Sequence, residues 1–363
     1  MTSDVFAAAG WTARRLGVVM EPDPDDPREA WGVCNPGCAR GPDGELYLFP
    51  RLVAEGNYSR VGLARVRFAH GRPAGVERLG VVLEPRAQWE RHRGGGGVED
   101  PRVTWVPALG RYLMTYTGWG PLGPRIALAS SADLERWERL GPVGFAFDPA
   151  VGADLNLYPN KDALLFPEPV PGPDGEPCFA LLHRPMWDLS WANPAEGEAP
   201  PPGLADPRPG IWVSFVPAKE VIADPVQLTR LRDHRLVALP ERPWEAAKLG
   251  GGTPPLRLDE GWLVLHHGVA GRLEPGRVEH QAAVRYSAGA MLLDPEDVTR
   301  VLARSAEPLL EPELAAEREG VVPNVVFPTA IDPRGGGVAD VYYGMADARI
   351  GAFRLTMGPL PRR

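Results

Sequence analysis

The chain has 363 residues, of which 44% are hydrophobic and 24% are charged, and its formal net charge is −8. This balance is ordinary for a folded globular protein and excludes wholesale disorder, while the acidic charge excludes the basic footprint of a nucleic-acid-binding surface. With 42 prolines and 42 glycines, the chain is interrupted too often for long helices, so many short strands and turns are expected.

The N-terminal residues, the apolar runs and the cysteines indicate in which cellular compartment the protein is expected. Residues 1–6 contain no basic segment followed by an apolar core, and no apolar run approaches the length needed to cross a bilayer. Three cysteines, Cys34, Cys38 and Cys178, are an odd number in a long chain, which argues against a disulfide framework and favours a reducing cytoplasm. No matching Cys or His cluster follows Cys34 and Cys38, so no metal site is predicted there.

In chain order, a strand-like run, a turn and further strand-like runs recur five times. The runs of the five copies are 45–50 and 61–66; 103–106, 112–117 and 126–131; 163–166, 179–183 and 211–215; 255–258, 262–266 and 283–288; and 325–329, 341–344 and 350–355. A two-sheet sandwich also has many short strands but does not require this periodicity, whereas the blades of a propeller do. We therefore predict an all-β fold, a five-bladed β-propeller with a central active-site funnel, as one domain over residues 1–363.

Three kinds of segment fall outside this repeat. Residues 1–30 lack a clear period and are expected to form an N-terminal extension that packs on the propeller or closes it. Residues 186–209 are rich in proline and glycine and predict a long loop, which is a candidate lid or pocket wall. A helical period is seen in 297–306 and 312–318, which predict short helices between blades.

Polar residues at the ends of the predicted inner strands are the candidate site, because inner strands converge on the central channel of a propeller. Adjacent residues of a strand face opposite sides, so only one of Glu99 and Asp100 is expected to reach the channel. The group is Asn35, Arg40, Arg51, Arg60, Asp100, Arg102, Asn160, Lys161, Asp162, His183, Arg184, Lys248, His266, His267, Tyr286, Tyr343 and Asp347.

The segment 94–102 carries the candidate acid of this group. Its four glycines permit close approach to the backbone, and Pro101 biases Asp100 toward an extended conformation. Asp100 is the favoured general acid, which requires a raised pKa. Glu99 is expected to face away or to position its surroundings. Arg102 shares the face of Asp100, and a salt bridge between them is the alternative interpretation.

Lys248 stands just before the glycines 250–252, and a cation beside a glycine-rich backbone is a candidate anion site. Arg60, Lys161 and His267 are further candidates for binding the same anion. The lysine precedes the glycines and no helix follows, so this is not a P-loop, and no dinucleotide fingerprint or nucleophile elbow occurs. His266 and His267 lack a third ligand at a metal-binding spacing, so no metal is predicted.

At these positions the chain resembles glycoside hydrolase family 130, the β-mannoside phosphorylases and their relatives, over most of its length. Seven segments carry the resemblance: SRVGLAR (59–65), GVEDPR (97–102), SADLERW (131–137), KDALLFP (161–167), LHRP (182–185), HHGV (266–269) and YYGMAD (342–347). The 131–137 motif is shared by several five-bladed sugar enzymes, whereas GVEDPR together with the Phe-Pro and His-Arg-Pro pairs is much more specific.

The resemblance implies an inverting glycoside phosphorylase acting on β-mannosides of the β-1,4-mannosyl-glucose or manno-oligosaccharide type. Asp100 would be the acid and would act through a sugar hydroxyl, while inorganic phosphate, as co-substrate, would be the nucleophile and give mannose 1-phosphate. No second carboxylate is then needed, in contrast to an inverting hydrolase. The implied partners are the oligosaccharide and phosphate, with no cofactor, nucleic acid or membrane, and a homo-oligomer is compatible with this interpretation.

By family position Arg60, Lys248 and His267 match phosphate ligands, and Tyr286 and Asp347 are weaker candidates. Lys161 is added to this phosphate-binding set, although phosphorylases often carry an Arg-Asn pair at 161–162. Because of that departure, hydrolysis of the same substrates is the alternative function, and a non-catalytic propeller that binds a glycan or a protein is the third. The substrate-binding residues are predicted to be Asn35, Arg40, Arg102, Asn160, Asp162, His183, Arg184 and Asp347.

Overall fold

The computed structural model describes residues 4–92, 95–189, 201, 204, 206–272 and 283–360. This part of the chain is nearly all-β, which confirms the predicted class, and its α-helices are α1 (Val5–Ala8), α2 (Ala218–Ala223) and α3 (Ala315–Arg318). The strands are β1 (Thr12–Met20), β2 (Gly32–Arg40), β3 (Leu46–Ala54), β4 (Tyr58–Ala69), β5 (Arg72–Leu83), β6 (Arg91–His92), β7 (Gly95–Val106), β8 (Arg111–Gly120), β9 (Gly123–Ser131), β10 (Glu138–Pro142), β11 (Gly144–Phe145), β12 (Asn160–Leu165), β13 (Val170–Pro171), β14 (Pro177–Pro185), β15 (Ile211–Pro217), β16 (Arg230–Ala238), β17 (Lys248–Gly251), β18 (Leu256–Leu258), β19 (Gly261–Gly271), β20 (Val284–Leu293), β21 (Val301–Arg304), β22 (Val326–Gly335), β23 (Val338–Met345) and β24 (Arg349–Thr356).

Within the described residues, these strands build five antiparallel units. In the order of their pairing, the units are β2-β3-β4-β5, β7-β8-β9-β10, β12-β14-β15-β16, β17-β19-β20-β21 and β22-β23-β24-β1, named here the first to the fifth unit. The first and second units form one larger sheet because Ser59 pairs in parallel with Gly97. We call the first strand of each unit, which is β2, β7, β12, β17 or β22, its inner strand. The last strand in the pairing order of each unit is its outer strand.

The N-terminal strand completes the last unit. Within the predicted N-terminal segment 1–30, β1 pairs antiparallel with β24, from Thr12 opposite Thr356 to Met20 opposite Ile350. The two ends of the described chain therefore meet in one sheet, and the fifth unit has four strands like the others.

Apolar side chains pack between consecutive units. Clusters of buried residues contain the pairs Val61 and Tyr116 (first and second units), Leu113 and Phe179 (second and third), Phe166 and Trp262 (third and fourth), Leu265 and Phe353 (fourth and fifth), and Leu48 and Tyr342 (fifth and first). Middle strands such as β14 are buried on both faces, which explains their continuous apolar runs. Outer strands such as β5 are largely half-buried or exposed.

A buried glutamate ties the start of the inner strand to the outer strand in four units. Each glutamate lies in the short helical turn before the inner strand, and an arginine of the outer strand donates to it at 2.6–2.8 Å. Because the carboxylates have little or no exposure, these ion pairs are poorly screened by solvent. The pairs are Glu29–Arg78, Glu90–Arg139, Glu245–Arg304 and Glu317–Arg15.

One predicted helix is wrong, and the fourth unit begins earlier in the chain than predicted, although the strand expected at 255–258 is present. The segment 297–306 is not helical, because residues 301–304 form strand β21, whereas 312–318 does contain helix α3. The fourth unit begins at β17, which includes the glycines 250 and 251, and the predicted first strand 255–258 is instead β18 beside β19. Most of the predicted loop 186–209 and Gly94 lie outside the described residues.

Replacing Glu90 with alanine tests the glutamate–arginine pairs. Glu90 accepts hydrogen bonds from Arg139, from the Tyr116 hydroxyl and from two backbone amides, and all four donors lose their acceptor in Glu90→Ala. We expect the free energy of unfolding, measured by urea denaturation, to fall by about 3 kcal/mol or more. Glu77→Ala is the matched control, since Glu77 pairs with Arg65 at the surface and should leave the urea midpoint unchanged. Equal shifts in the two variants would contradict the importance of burial.

Candidate active site

A cleft with an empty volume of about 840 Å³, part of it open to solvent, receives side chains from all five units. They come mainly from the inner and second strands, at the end where each inner strand begins. The lining residues are Cys34, Asn35, Arg51, Val53, Asn57, Asp100, Lys161, Asp162, Arg184, Met186, Lys248, His267, Tyr286, Val321, Val322, Val325, Phe327 and Asp347.

Five polar residues of the cleft have left-handed backbone conformations. The φ angles are 42° at Asn35, 62° at Asn57, 49° at Asp100, 59° at Asp162 and 53° at Asp347. Three of these residues lie where the register of an inner strand shifts, as in a β-bulge. Asn and Asp tolerate this conformation better than other non-glycine residues. The predicted extended conformation of Asp100 is therefore wrong, and the bulge explains why both Glu99 and Asp100 have access to cationic partners of the cleft.

Asp100 is held by an amide and a guanidinium. Its Oδ1 accepts hydrogen bonds from Asn35 Nδ2 at 2.8 Å and from Arg51 Nη1 at 3.2 Å. Burial opposes ionisation, yet the charges of Arg51, Lys161 and Arg102 and the Asn35 hydrogen bond hold the pKa of Asp100 below its usual value. The Asp100 carboxyl is thus ionised at neutral pH, contrary to the raised pKa that an acid requires.

Glu99 lies behind Asp100 and connects two cations of the cleft. Arg51 Nη2 donates to Glu99 Oε1 at 2.8 Å, and Lys161 Nζ lies 3.2 Å from Glu99 Oε2. Arg51 also donates to Ser59 and Asn57, so its guanidinium is fixed from several sides. Glu99 thereby places both cations beside Asp100 without lining the cleft itself.

A group of cations occupies the other half of the cleft. It consists of Arg184 and Lys248 together with Lys161, which lies at the boundary next to Glu99 and Asp100, and it also contains His267 and the anionic Asp162. Arg184 Nε donates to Asp162 Oδ2 at 2.6 Å, and His267 Nε2 lies 3.6 Å from the same oxygen. Burial opposes ionisation of Asp162, but chiefly the Arg184 guanidinium holds the pKa of this carboxyl well below its usual value. We call this set the cationic half of the cleft.

Lys248 is the cation of this half whose charge depends on pH near neutrality. Burial, together with the nearby charge of Arg184, lowers the pKa of Lys248 to about 7. Its Nζ lies 5.0 Å from the centre of the Tyr286 ring, which stacks on the His267 ring at 5.7 Å. Burial raises the pKa of Tyr286 and lowers that of His267 to about 3, so the phenol and the imidazole are both neutral at pH 7.

Asp347 brings a second carboxyl group to the Asp100 half of the cleft. Burial raises the pKa of Asp347 to about 6; Arg51 opposes this shift and the Asp100 carboxylate adds to it. A partly protonated carboxyl group can both donate and accept hydrogen bonds, which suits a ligand rich in hydroxyl groups. The cleft is thus divided into a half with Asp100 and Asp347 and a half with clustered cations.

Of the predicted site residues, the structure brings nine into the cleft. They are Asn35, Asp100, Lys161, Asp162, Arg184, Lys248, His267, Tyr286 and Asp347. Arg51 also lines it; its position directly after the predicted strand 45–50 placed it in the candidate group, although no specific role was assigned to it. Cys34 lines the cleft too and was not in that group. The buried thiol of Cys34 has a raised pKa, so it is expected to be unreactive.

The other predicted ligands lie elsewhere. Arg40 forms a two-pronged ion pair with Asp332 on the outer side, and Arg60 lies over the Tyr58 ring with its Nε 3.5 Å from Glu84. Strand alternation explains why the Arg60 side chain does not enter the cleft: its neighbour Ser59 points toward Arg51, so Arg60 points to the opposite face of the strand. These two assignments are therefore not supported by the geometry.

Arg102, Asn160 and His183 are buried behind the cleft. Arg102 donates to the backbone oxygens of Asp100 and Gly252, so it braces the backbone of Asp100 and does not pair with the carboxylate. Asn160 Nδ2 lies 3.0 Å from His183 Nδ1, and His183 Nε2 lies 2.8 Å from Ser214 Oγ. These side chains can position strands β12 and β14 but do not line the cleft.

The structure offers neither a cluster of metal ligands nor a membrane-spanning helix within its described residues. Within the described ranges, no three His, Cys, Asp or Glu side chains come together as a metal would require. In the same part of the chain, no helix has the length and apolar character needed to cross a membrane.

Comparison with known proteins identifies similar chains. The model of the family Glyco_hydro_130, described as beta-1,4-mannooligosaccharide phosphorylase, matches residues 15–172 and 206–359. The 1,2-beta-oligomannan phosphorylase of Thermoanaerobacter sp. (strain X514) is 35% identical over 269 residues, which are 72% of this chain and 69% of that protein. The beta-1,2-mannobiose phosphorylase of the same organism is 33% identical over 260 residues, which are 70% of this chain and 65% of that protein.

A solved structure also matches almost the whole chain. It is the beta-1,2-mannobiose phosphorylase from Listeria innocua in complex with beta-1,2-mannobiose, with a TM-score of 0.68 and 23% sequence identity. The match covers 95% of this chain and 96% of that chain. At this identity the likeness concerns the fold.

Lys248 provides a test of the cationic half as an anion site. As pH rises through about 7, Lys248 loses its proton, so the affinity for inorganic phosphate should fall relative to that of Lys248→Arg, which stays charged. Lys248→Met should weaken binding about tenfold or more at pH 6. Calorimetric titration at pH 6 and pH 8 measures both effects, and the titration of phosphate itself is common to all variants. Lys219, which is exposed on α2, gives the matched controls Lys219→Arg and Lys219→Met. An unchanged affinity in Lys248→Met would contradict the assignment.

Proposed function

Because the chain belongs to glycoside hydrolase family 130, we propose that it is an inverting phosphorylase of β-mannosides that releases mannose 1-phosphate. The observation that carries the proposal is the division of one cleft into a carboxyl half and a cationic half. Asp100 and Asp347 suit the hydroxyl groups of a sugar, and Lys161, Arg184 and Lys248 suit a phosphate ion. The two co-substrates would therefore lie side by side.

In this proposal, phosphate binding prepares Asp100 to act as the acid. Arg51, Lys161 and Arg102 keep the pKa of Asp100 low, and one of them, Lys161, is also a cation that a phosphate ion would neutralise. An anion in the cationic half therefore raises the pKa of Asp100 and favours its protonated form. The acid becomes competent only when the nucleophile is present, which limits cleavage by water.

The proposed reaction is a single displacement. A phosphate oxygen attacks the anomeric carbon, the bond between that carbon and the glycosidic oxygen breaks, and the leaving oxygen receives the Asp100 proton through a sugar hydroxyl. Phosphate is already an anion, so no carboxylate is needed to activate it, whereas an inverting hydrolase needs one to activate water. We propose no metal and no cofactor in this reaction.

The architecture that we infer is a five-bladed propeller formed by a single domain. In its support, apolar clusters pack each unit against the next and the fifth against the first, and β1 completes the fifth unit. The cleft would then be the central funnel, since its lining comes from all five units.

A β-1,2-mannoside is the first candidate substrate. The three relatives that match about 70% of this chain are named for β-1,2-linked substrates, whereas the family model is named for a β-1,4-linked one. The β-1,4 linkage predicted from the sequence thus becomes the second candidate. A cytoplasmic location and a homo-oligomer stay predictions.

Phosphate dependence decides between phosphorolysis and hydrolysis. The protein is incubated with β-1,2-mannobiose, β-1,4-mannobiose or mannosyl-glucose, with and without inorganic phosphate. We expect α-mannose 1-phosphate, identified by ³¹P nuclear magnetic resonance, in the presence of phosphate and little free mannose in its absence. Release of free mannose at the same rate without phosphate would instead establish the hydrolase.

Asp100→Asn tests the acid. Asparagine tolerates the left-handed backbone and keeps an acceptor for Arg51, so the variant should fold with an unchanged melting temperature. Turnover should fall by about 10²- to 10⁴-fold, the usual contribution of a general acid. Asp43→Asn, at an exposed turn where the Tyr47 hydroxyl donates to Asp43, is the matched control and should keep full turnover. An active Asp100→Asn variant would remove Asp100 from this role.

A further inference from the structure

We propose that Asp162 makes the anion site selective for oxyanions that carry a proton, so that phosphate is bound and sulfate is rejected. The inference rests on the proposed function and names the determinant of its co-substrate. Asp162 stands among cations that would otherwise attract any small anion of the right size. Its own negative charge is therefore the feature that needs an explanation.

The position of the Asp162 carboxylate is fixed. The side chain is buried, its backbone is left-handed, and Arg184 Nε and His267 Nε2 both face Oδ2, at 2.6 Å and 3.6 Å. Gly250 makes room for this oxygen, because a Cβ atom at residue 250 would lie 2.3 Å from it. In the part of the chain that the structure describes, the ion pair with Arg184 and the contact with the neutral His267 ring both use Oδ2. Oδ1 is thus left for a ligand in the cleft.

An ionised carboxylate accepts hydrogen bonds but cannot donate them. Near neutral pH, phosphate keeps at least one proton and can donate it to Asp162 in a short, charge-assisted hydrogen bond. Sulfate has no proton to donate at this pH, so its oxygens would face the carboxylate as unpaired acceptors of like charge. In a buried site, where water cannot separate the two, that contact is costly.

The surrounding groups do not remove this selectivity. His267 is neutral at pH 7, since burial lowers its pKa to about 3, and it adds no charge that could compensate the carboxylate. The Lys161 ammonium is shared with Glu99, which lies 3.2 Å away. Arg184 and Lys248 remain as attractive groups for either anion, so they strengthen binding without distinguishing phosphate from sulfate.

The test compares phosphate with sulfate in calorimetric titrations at pH 7. The wild-type protein should bind phosphate more tightly than sulfate by on the order of 10- to 100-fold, the equivalent of one charged hydrogen bond. In Asp162→Asn the amide can donate to either anion and tolerates the left-handed backbone. The ratio should then fall to within about threefold, mainly because sulfate binds better. Asp26→Asn, a surface aspartate bonded by Arg28 Nε at 2.9 Å, is the matched control and should keep the wild-type ratio.

A second comparison needs no variant. Arsenate carries a proton at neutral pH and selenate does not, so the wild-type protein should prefer arsenate over selenate as it prefers phosphate over sulfate. This measurement keeps the inference testable even if Asp162→Asn fails to fold.

The outcomes separate this inference from the proposed function. Equal affinity of the wild-type protein for phosphate and sulfate would overturn the inference, as would a folded Asp162→Asn variant with the wild-type ratio. Phosphate-dependent release of mannose 1-phosphate would leave the proposed function intact in either case. Conversely, the protein could bind phosphate selectively and yet cleave mannosides without phosphate. That result would support the inference and contradict the proposed phosphorylase function.

Discussion

The left-handed backbone at the start of the inner strands is the constraint on which the cleft depends. In a regular strand, neighbouring side chains point to opposite faces, and Asp100 and Asp162 would then share their surroundings with only every second residue. The left-handed conformation breaks this alternation at Asn35, Asp100 and Asp162, in three successive units, and Asp347 has the same conformation just after β23. Since few residues other than Asn and Asp accept this backbone readily, the geometry restricts the chemistry of the site as much as the ligands do.

Buried ionic contacts also hold the starts of the inner strands in place. Four units use a glutamate–arginine pair between the turn before the inner strand and the outer strand. The third unit uses neutral groups at the corresponding place: Ser214 Oγ lies between the rings of His183 and His234, and His234 Nε2 lies 2.8 Å from the backbone oxygen of Ala146. In both arrangements the buried polar groups are satisfied within the unit, and none of them is a residue that lines the cleft.

The sequence predicts the middle strands well, because β14 and its counterparts are buried on both faces and read as continuous apolar runs. The half-exposed outer strands escaped prediction, and residues 301–304 were assigned to a helix for that reason. The inner strand β17 was not predicted, because its glycines are not typical of a strand. For the site, strand ends and the family resemblance together identified most of the polar residues that line the cleft, but strand ends alone could not tell Arg60, which does not line the cleft, from Arg51, which does. The difference is one step of the strand alternation, and only the backbone geometry fixes it.

The buried histidines give the two sides of the molecule different responses to acid. Of the seven histidines, four are buried in the third and fourth units, namely His183, His234, His266 and His267, and burial lowers the pKa of each. A histidine whose folded-state pKa is depressed contributes fully above its unfolded pKa of about 6.5, and stability is lost as pH falls below that value, because the unfolded chain takes up the protons. Mild acid should therefore destabilise the third and fourth units, which carry Lys161, Arg184 and Lys248, before the second unit, which carries Asp100. Hydrogen exchange measured separately for each unit would show whether the anion-binding side opens first.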